Sequence, residues 1–192
     1  MERARHCELC DHQQVTLKEG SLCGLTERKP DFNRTCIQIS LSEKFRQKLL
    51  DANVHHQQIL KRQTWVAGYF TVFMILGIAI IIGASWFAYY LFNLTEMTGK
   101  TLVYPFGLIG IGVAVMTMAN GSRNKYRKDL AEAKHKKDKI DSVLEVYNIN
   151  YDINIELGRI YHGKQEMKVD ARFSGGMVED FSWIGEGPSR RW

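Results

Sequence analysis

Cys7, Cys10, Cys23 and Cys36 are the only cysteines of the 192-residue chain, and all lie near its start. Cys7-Glu8-Leu9-Cys10 has the two-residue gap of a metal knuckle, in which a tight turn brings two thiolates to one ion. Zinc takes four soft ligands in a tetrahedron, and Cys23 and Cys36 can complete that set. Neither has a partner at the same short spacing, so His6 or His12 can replace one thiolate. The competing readings are a redox-active pair and four free thiols on an unstructured segment. A closed four-ligand site would be structural, because it leaves no open position for a reacting water. A segment of about 40 residues buries too little core to fold by packing alone, so bound Zn2+ would supply folding free energy.

Other candidate groups point to no chemistry. His55 and His56 are adjacent on a helical pattern and point in different directions, so they do not share a metal. His135 and His162 sit in polar surroundings, and Glu179 with Asp180 has no neighbouring group that would make an acid and base pair. Ser174-Gly175-Gly176 is not a nucleophile elbow. Gly107, Gly110 and Gly112 lie inside an apolar run without a preceding strand or a Lys-Ser/Thr pair, which excludes a phosphate loop. No catalytic residue is therefore assigned, and the chain reads as a non-enzyme.

The elements that must carry the cysteines are set by two long gaps in the charge. No charged residue or histidine occurs from Gln63 to Thr95 or from Thr101 to Ser122. Roughly 20 apolar residues at a rise of about 1.5 Å span a bilayer core of about 30 Å, and both gaps are long enough. Trp65 and Tyr69 mark one end of the first gap and Trp86, Tyr89 and Tyr90 the other, with Tyr104 at the start of the second. Such aromatics suit a membrane interface. Ala79 with Gly83, and Gly110 with Ala114, form small-xxx-small pairs that let helices approach. They can meet within the hairpin or between copies in a homo-oligomer.

Lysine and arginine then choose the side. Lys44, Arg46, Lys48, Lys61 and Arg62 precede the first span. Arg123, Lys125, Arg127, Lys128, Lys134, Lys136, Lys137 and Lys139 follow the second, against Lys100 alone in the connection. The positive-inside rule places both termini in the cytoplasm, where thiols stay reduced. The net charge of +5 is explained by topology and lipid headgroups, without nucleic acid. Met1 to Glu19 is polar, so no cleavable signal is expected.

Outside the spans, Phe45, Leu49, Ala52, His56 and Ile59 repeat at helical spacing after the N-cap candidate Ser42. Tyr126, Leu130, Ala133, Lys137, Ile140, Leu144 and Tyr147 do the same. The period near 3.5 predicts a paired coiled-coil stalk rather than helices lying on lipid. Ile149 to Leu157 and Met167 to Phe173 alternate at period two, which predicts a β-hairpin that must pack on something else.

The expected fold is thus a mainly α membrane protein: a transmembrane hairpin with cytoplasmic helices, a Cys-rich knuckle and a β-hairpin. The segments are a knuckle at 1–41, a helix at 42–63, spans at 64–92 and 101–120, and an external loop at 93–100. A basic helix at 121–148, the hairpin at 149–174 and a flexible tail at 175–192 complete the chain. This architecture predicts a membrane-anchored zinc-binding adaptor facing an unidentified cytoplasmic protein or ligand. The alternative is an oligomeric membrane effector whose pore is gated by the cytoplasmic head.

Overall fold

The structure, a computed structural model, describes residues 2–17, 19–94, 99–162, 164–174 and 176–188. In order, the elements are α1 (Glu2–Leu9), β1 (Gln13–Thr16), β2 (Gly20–Cys23), α2 (Glu43–Lys61) and α3 (Gln63–Leu94). After them come α4 (Gly99–Val146), β3 (Asn150–Tyr161), β4 (Lys164–Ser174) and β5 (Phe181–Pro188). The chain is mostly helical, and it divides into one unit of Met1–Gln58 with Glu132–Trp192 and another of Ile59–Ala131. Residues 95–98 of the expected external loop lie outside the described residues.

In the second unit, α3 and the adjoining part of α4 form an apolar antiparallel hairpin. Both helices are long and apolar enough to cross a membrane. Only 11% and 17% of their most apolar stretches is buried, unlike the core helices of a soluble protein. Within those stretches the buried positions are small: Gly77 and Ala84 on α3, and Pro105, Gly112 and Ala119 on α4. They recur at intervals of seven, the spacing of a left-handed helix pair. The helices come close at Gly77 and Gly112: a Cβ on either would lie 3.0 Å from the carbonyl oxygen of the other. Added carbons would also meet Met116 at 2.5 Å and Ile81 at 2.7 Å respectively. Gly83 and Gly110 have open space instead, and Ala79 and Ala114 are exposed, so neither small-residue pair forms the hairpin contact. Trp65, Tyr69, Trp86, Tyr89, Tyr90 and Tyr104 are all exposed on the hairpin's surface.

The first unit has a true core. Phe45, Leu49 and Ala52 of α2 pack with Ile140, Val143 and Leu144 of α4, and Leu9, Leu41, Ile149 and Val178 close the cluster. Phe45 and Leu49 are fully buried. The helical stripes expected to pair as a stalk do pack on each other, and they form the core of this unit. The reason lies in the sheet, whose alternating residues need an apolar surface. Tyr151 and Phe173 pack on the main cluster, and Val54 of α2 packs with Met167 and Val169.

That sheet has the order β3-β4-β5, all antiparallel. β3 and β4 pair from Asn150↔Ser174 to Tyr161↔Lys164, longer than the expected hairpin, with a register shift between Leu157 and Ile160. Gly158 sits at that shift, where a Cβ would lie 3.2 Å from the Glu166 carbonyl oxygen. The expected flexible tail contains β5, which pairs with β4 from Ala171↔Phe181 to Lys164↔Pro188. Gly185 and Gly187 leave room on it that the Trp183 ring and the Met167 side chain occupy.

Candidate metal centre

The four cysteines reach one place from three directions. Cys7 lies in the last turn of α1, and the Cys10 amide donates to the Cys7 carbonyl at 3.1 Å, closing the knuckle turn. Leu9, between them, is buried in the main core and anchors this short helix. Cys23 ends β2, where the β1–β2 register places it opposite Gln13, three residues beyond Cys10. Beyond it the chain folds back: the Thr26 and Glu27 amides donate to the Cys23 carbonyl, and the Cys23 amide donates to Arg28. Glu27 takes φ 53° to make this turn. Cys36 follows on an irregular segment, its amide donating to the Tyr147 hydroxyl at 2.8 Å.

Cys7, Cys10, Cys23 and Cys36 line one small cavity of about 10 Å³, together with His6, His12, Gln13, Gln38 and Ile39. That is room for about one water-sized sphere. Cys7 and Cys10 are buried, Cys23 and Cys36 half-buried, and all four are free thiols. Among the described residues, however, no three His, Cys, Asp or Glu side chains are drawn together as a ready-made metal cage. The side chains share a cavity without converging on one point.

The electrostatics suit a cation in that space. Burial pushes the Cys7 thiol up to about 11, and negative charge at Cys10, Cys23 and Cys36 adds to the rise, with Lys44 opposing it. A divalent ion would reverse this mutual repulsion. Cys23 is shifted the other way, because the Leu25 amide and then the Thr26 hydroxyl and amide donate to its sulfur and outweigh its burial. Cys10 accepts from the Ser40 amide at 3.4 Å. Donors to sulfur favour thiolates. Four thiols lining one cavity would suit a soft or borderline ion such as Zn2+ if their side chains closed on one point. Cys7, Cys10, Cys23 and Cys36 would hold it, with His6 and His12 alongside.

The knuckle is fastened to the helices by groups that spacing alone does not reveal. The Asp11 carboxylate accepts from the Ser42 amide at 3.0 Å, the Ser42 hydroxyl at 2.6 Å, the Ser40 hydroxyl at 3.1 Å and the Lys44 amide at 3.3 Å. Ser42 does stand at the head of α2, its carbonyl accepting from Arg46, but the capping carboxylate is Asp11. Burial opposes ionisation of Asp11, yet the bonds from Ser42, Lys44 and Ser40 hold it below the usual carboxylate value. Lys44 Nζ donates to the Cys10 carbonyl and to Gln13 Oε1, and Lys48 Nζ to the Glu8 carbonyl. On the other side, the Tyr147 hydroxyl lies 3.2 Å from His6 Nδ1. His6 is also packed against the Phe32 and Tyr147 rings. An acidic residue directly after Cys10 and an aromatic at the end of a helical stripe are the only sequence signals of these roles.

No protein-family model, curated protein or solved structure matches this chain.

Proposed function

We propose that this protein is a membrane-anchored, non-enzymatic interaction module whose Cys-rich knuckle holds one structural Zn2+ ion in a cytoplasmic head. The observation that carries the reading is the gathering of Cys7, Cys10, Cys23 and Cys36, from separate stretches of chain, around a cavity of about 10 Å³. Coordination would draw four thiolates inward from that perimeter and stabilise a segment anchored in the core by few apolar side chains, Leu9 and Leu41. Anchoring is supported by two helices that are apolar, long and largely unburied, with exposed Trp65, Trp86 and Tyr104 at the ends of their apolar runs. Two spans and the excess of Lys and Arg outside them support a reading in which both termini are cytoplasmic.

The head would offer its sheet and knuckle to a cytoplasmic protein or ligand. Placement is tested in cells with the native thiols blocked. A cysteine introduced at Asn93 should react with an impermeant maleimide, while tags on either terminus should become accessible only after permeabilisation. Labelling of the termini from outside would overturn the orientation. Recovery of the full chain in the soluble fraction would overturn the anchoring.

A further inference from the structure

The turn that follows α4 meets the thiol cluster through Tyr147, by its hydroxyl and by its ring against His6. Tyr147 is half-buried against the main core, so its ring position is set by packing. The turn around it is tightly specified: the Tyr147 and Ile149 amides both donate to the Leu144 carbonyl, and Asn148 takes φ 56°. From that turn the hydroxyl reaches two groups flanking the cysteine cavity, the backbone amide of Cys36 at 2.8 Å and Nδ1 of the buried His6 at 3.2 Å. His6 directly precedes Cys7, and both His6 and Cys36 line the cavity.

Cys36 has few other constraints. It comes from an irregular segment, its amide partner lies 111 positions away in sequence, and the described backbone bonds of that segment do not include another bond from its amide. A cysteine held by neither helix nor strand loses the most conformational entropy when it ligates a metal. A bond that fixes its backbone beforehand removes part of that cost. Groups that orient ligands from behind in this way typically change metal affinity by about 10- to 100-fold.

We propose that Tyr147 is the positioning residue of the metal site, fixing Cys36 through its amide and the His6–Cys7 turn through the imidazole, so that zinc affinity depends on the turn that follows α4. This rests on the zinc reading above and adds a residue outside the thiol set. The hydroxyl does not touch the ion. It holds two of the ligand-bearing segments in register with each other and with the core.

The test uses the full chain in detergent and compares wild type, Tyr147→Phe and Tyr151→Phe. The phenylalanine at 147 keeps the packed ring and removes only the hydroxyl. Tyr151 is the matched control, because its hydroxyl donates to Asp141 at 2.6 Å in the same unit and, among the described residues, has no bond to the cysteine segments. Zn2+ affinity is measured by competition with a chromophoric chelator, and the site is read independently from the absorption bands of the Co2+-loaded protein. Tyr147→Phe should weaken zinc about 10- to 100-fold and alter the Co2+ thiolate bands, whereas Tyr151→Phe should change neither. Wild-type affinity and an unchanged Co2+ spectrum in Tyr147→Phe would overturn the positioning role and leave the zinc site standing. Equal weakening by Tyr151→Phe would also overturn it, since general loss of head stability would then suffice. If the wild-type chain binds neither metal, the zinc reading itself falls and the inference falls with it.

Discussion

Asp11→Ala should release the Cys-rich segment from α2. Its carboxylate accepts two backbone amides, from Ser42 and Lys44, and two hydroxyls, from Ser42 and Ser40. Losing a helix-capping carboxylate costs about 0.5–2 kcal/mol. Water can reach Ser42 and replace part of what is lost, which argues against the top of that range, while the number of bonds argues against the bottom. A cost of about 1.4 kcal/mol corresponds to a tenfold change in an opening equilibrium. Amide hydrogen exchange of the full chain, resolved by mass spectrometry, should therefore show roughly tenfold faster exchange in the first turn of α2 and in the segment carrying Cys10. Exchange in β3 and β4 should be unaffected.

The same carboxylate gives a pH test. Asp11 has a folded-state pKa below its ordinary value of 3.8, so its contribution is complete above that value and is lost as pH falls through the lowered folded pKa. The stability difference between wild type and Asp11→Asn should therefore be constant near neutrality and shrink only in strong acid. Unchanged exchange at the head of α2 in Asp11→Ala would refute the assignment of Asp11 as the cap.

Two further substitutions probe the units separately. Gly112→Leu should destabilise the apolar hairpin by about 1–3 kcal/mol, because the added side chain must displace Ile81 or the Gly77 backbone. Gly83→Leu and Gly110→Leu should leave the hairpin intact, and thermal unfolding in detergent separates the three. Phe45→Ala should cost the first unit about 3–5 kcal/mol, since that ring is fully buried where α2, α4 and the sheet meet. Limited proteolysis should then cut between residues 1 and 58, and an uncut variant would contradict the core assignment.

The long helices were legible because burial imposes one period on the sequence: the seven-residue recurrence through Ala133 and Ile140 is visible before any coordinates. That the two stripes pair with each other was legible, but how the sheet covers them was not. A period of 3.5 suits a free coiled coil and a helix held under a sheet equally well, and α2 is also buried at Asn53, Val54 and Gln58, outside the stripe. Alternation gave β3 and β4 for the same reason it failed for β5. Tyr151, Ile153 and Ile155 carry large side chains at every second position, whereas Gly185, Gly187 and Pro188 read as a loop although their backbone extends the ladder. In the hairpin, Gly83 and Gly110 fit a spacing rule, but the glycines at which the helices come close are Gly77 and Gly112, because helix rotation decides which small residues face inward. For the candidate metal centre, residue type named the four thiols. The groups that fasten them, Asp11 and Tyr147, act across more than 30 and 100 positions respectively, and local spacing carries no trace of such contacts.

The central claim is that the four thiols hold one zinc ion, and metal analysis of the purified full chain, paired with titration of reactive thiols, tests it most directly. The account predicts one equivalent of zinc per chain and four thiols that react only after chelation. Cys7→Ser and Cys36→Ser should both lose the metal and expose the amino-terminal segment to protease, although the two positions lie on different segments. A metal-free protein whose amino-terminal segment nonetheless resists protease would contradict the account.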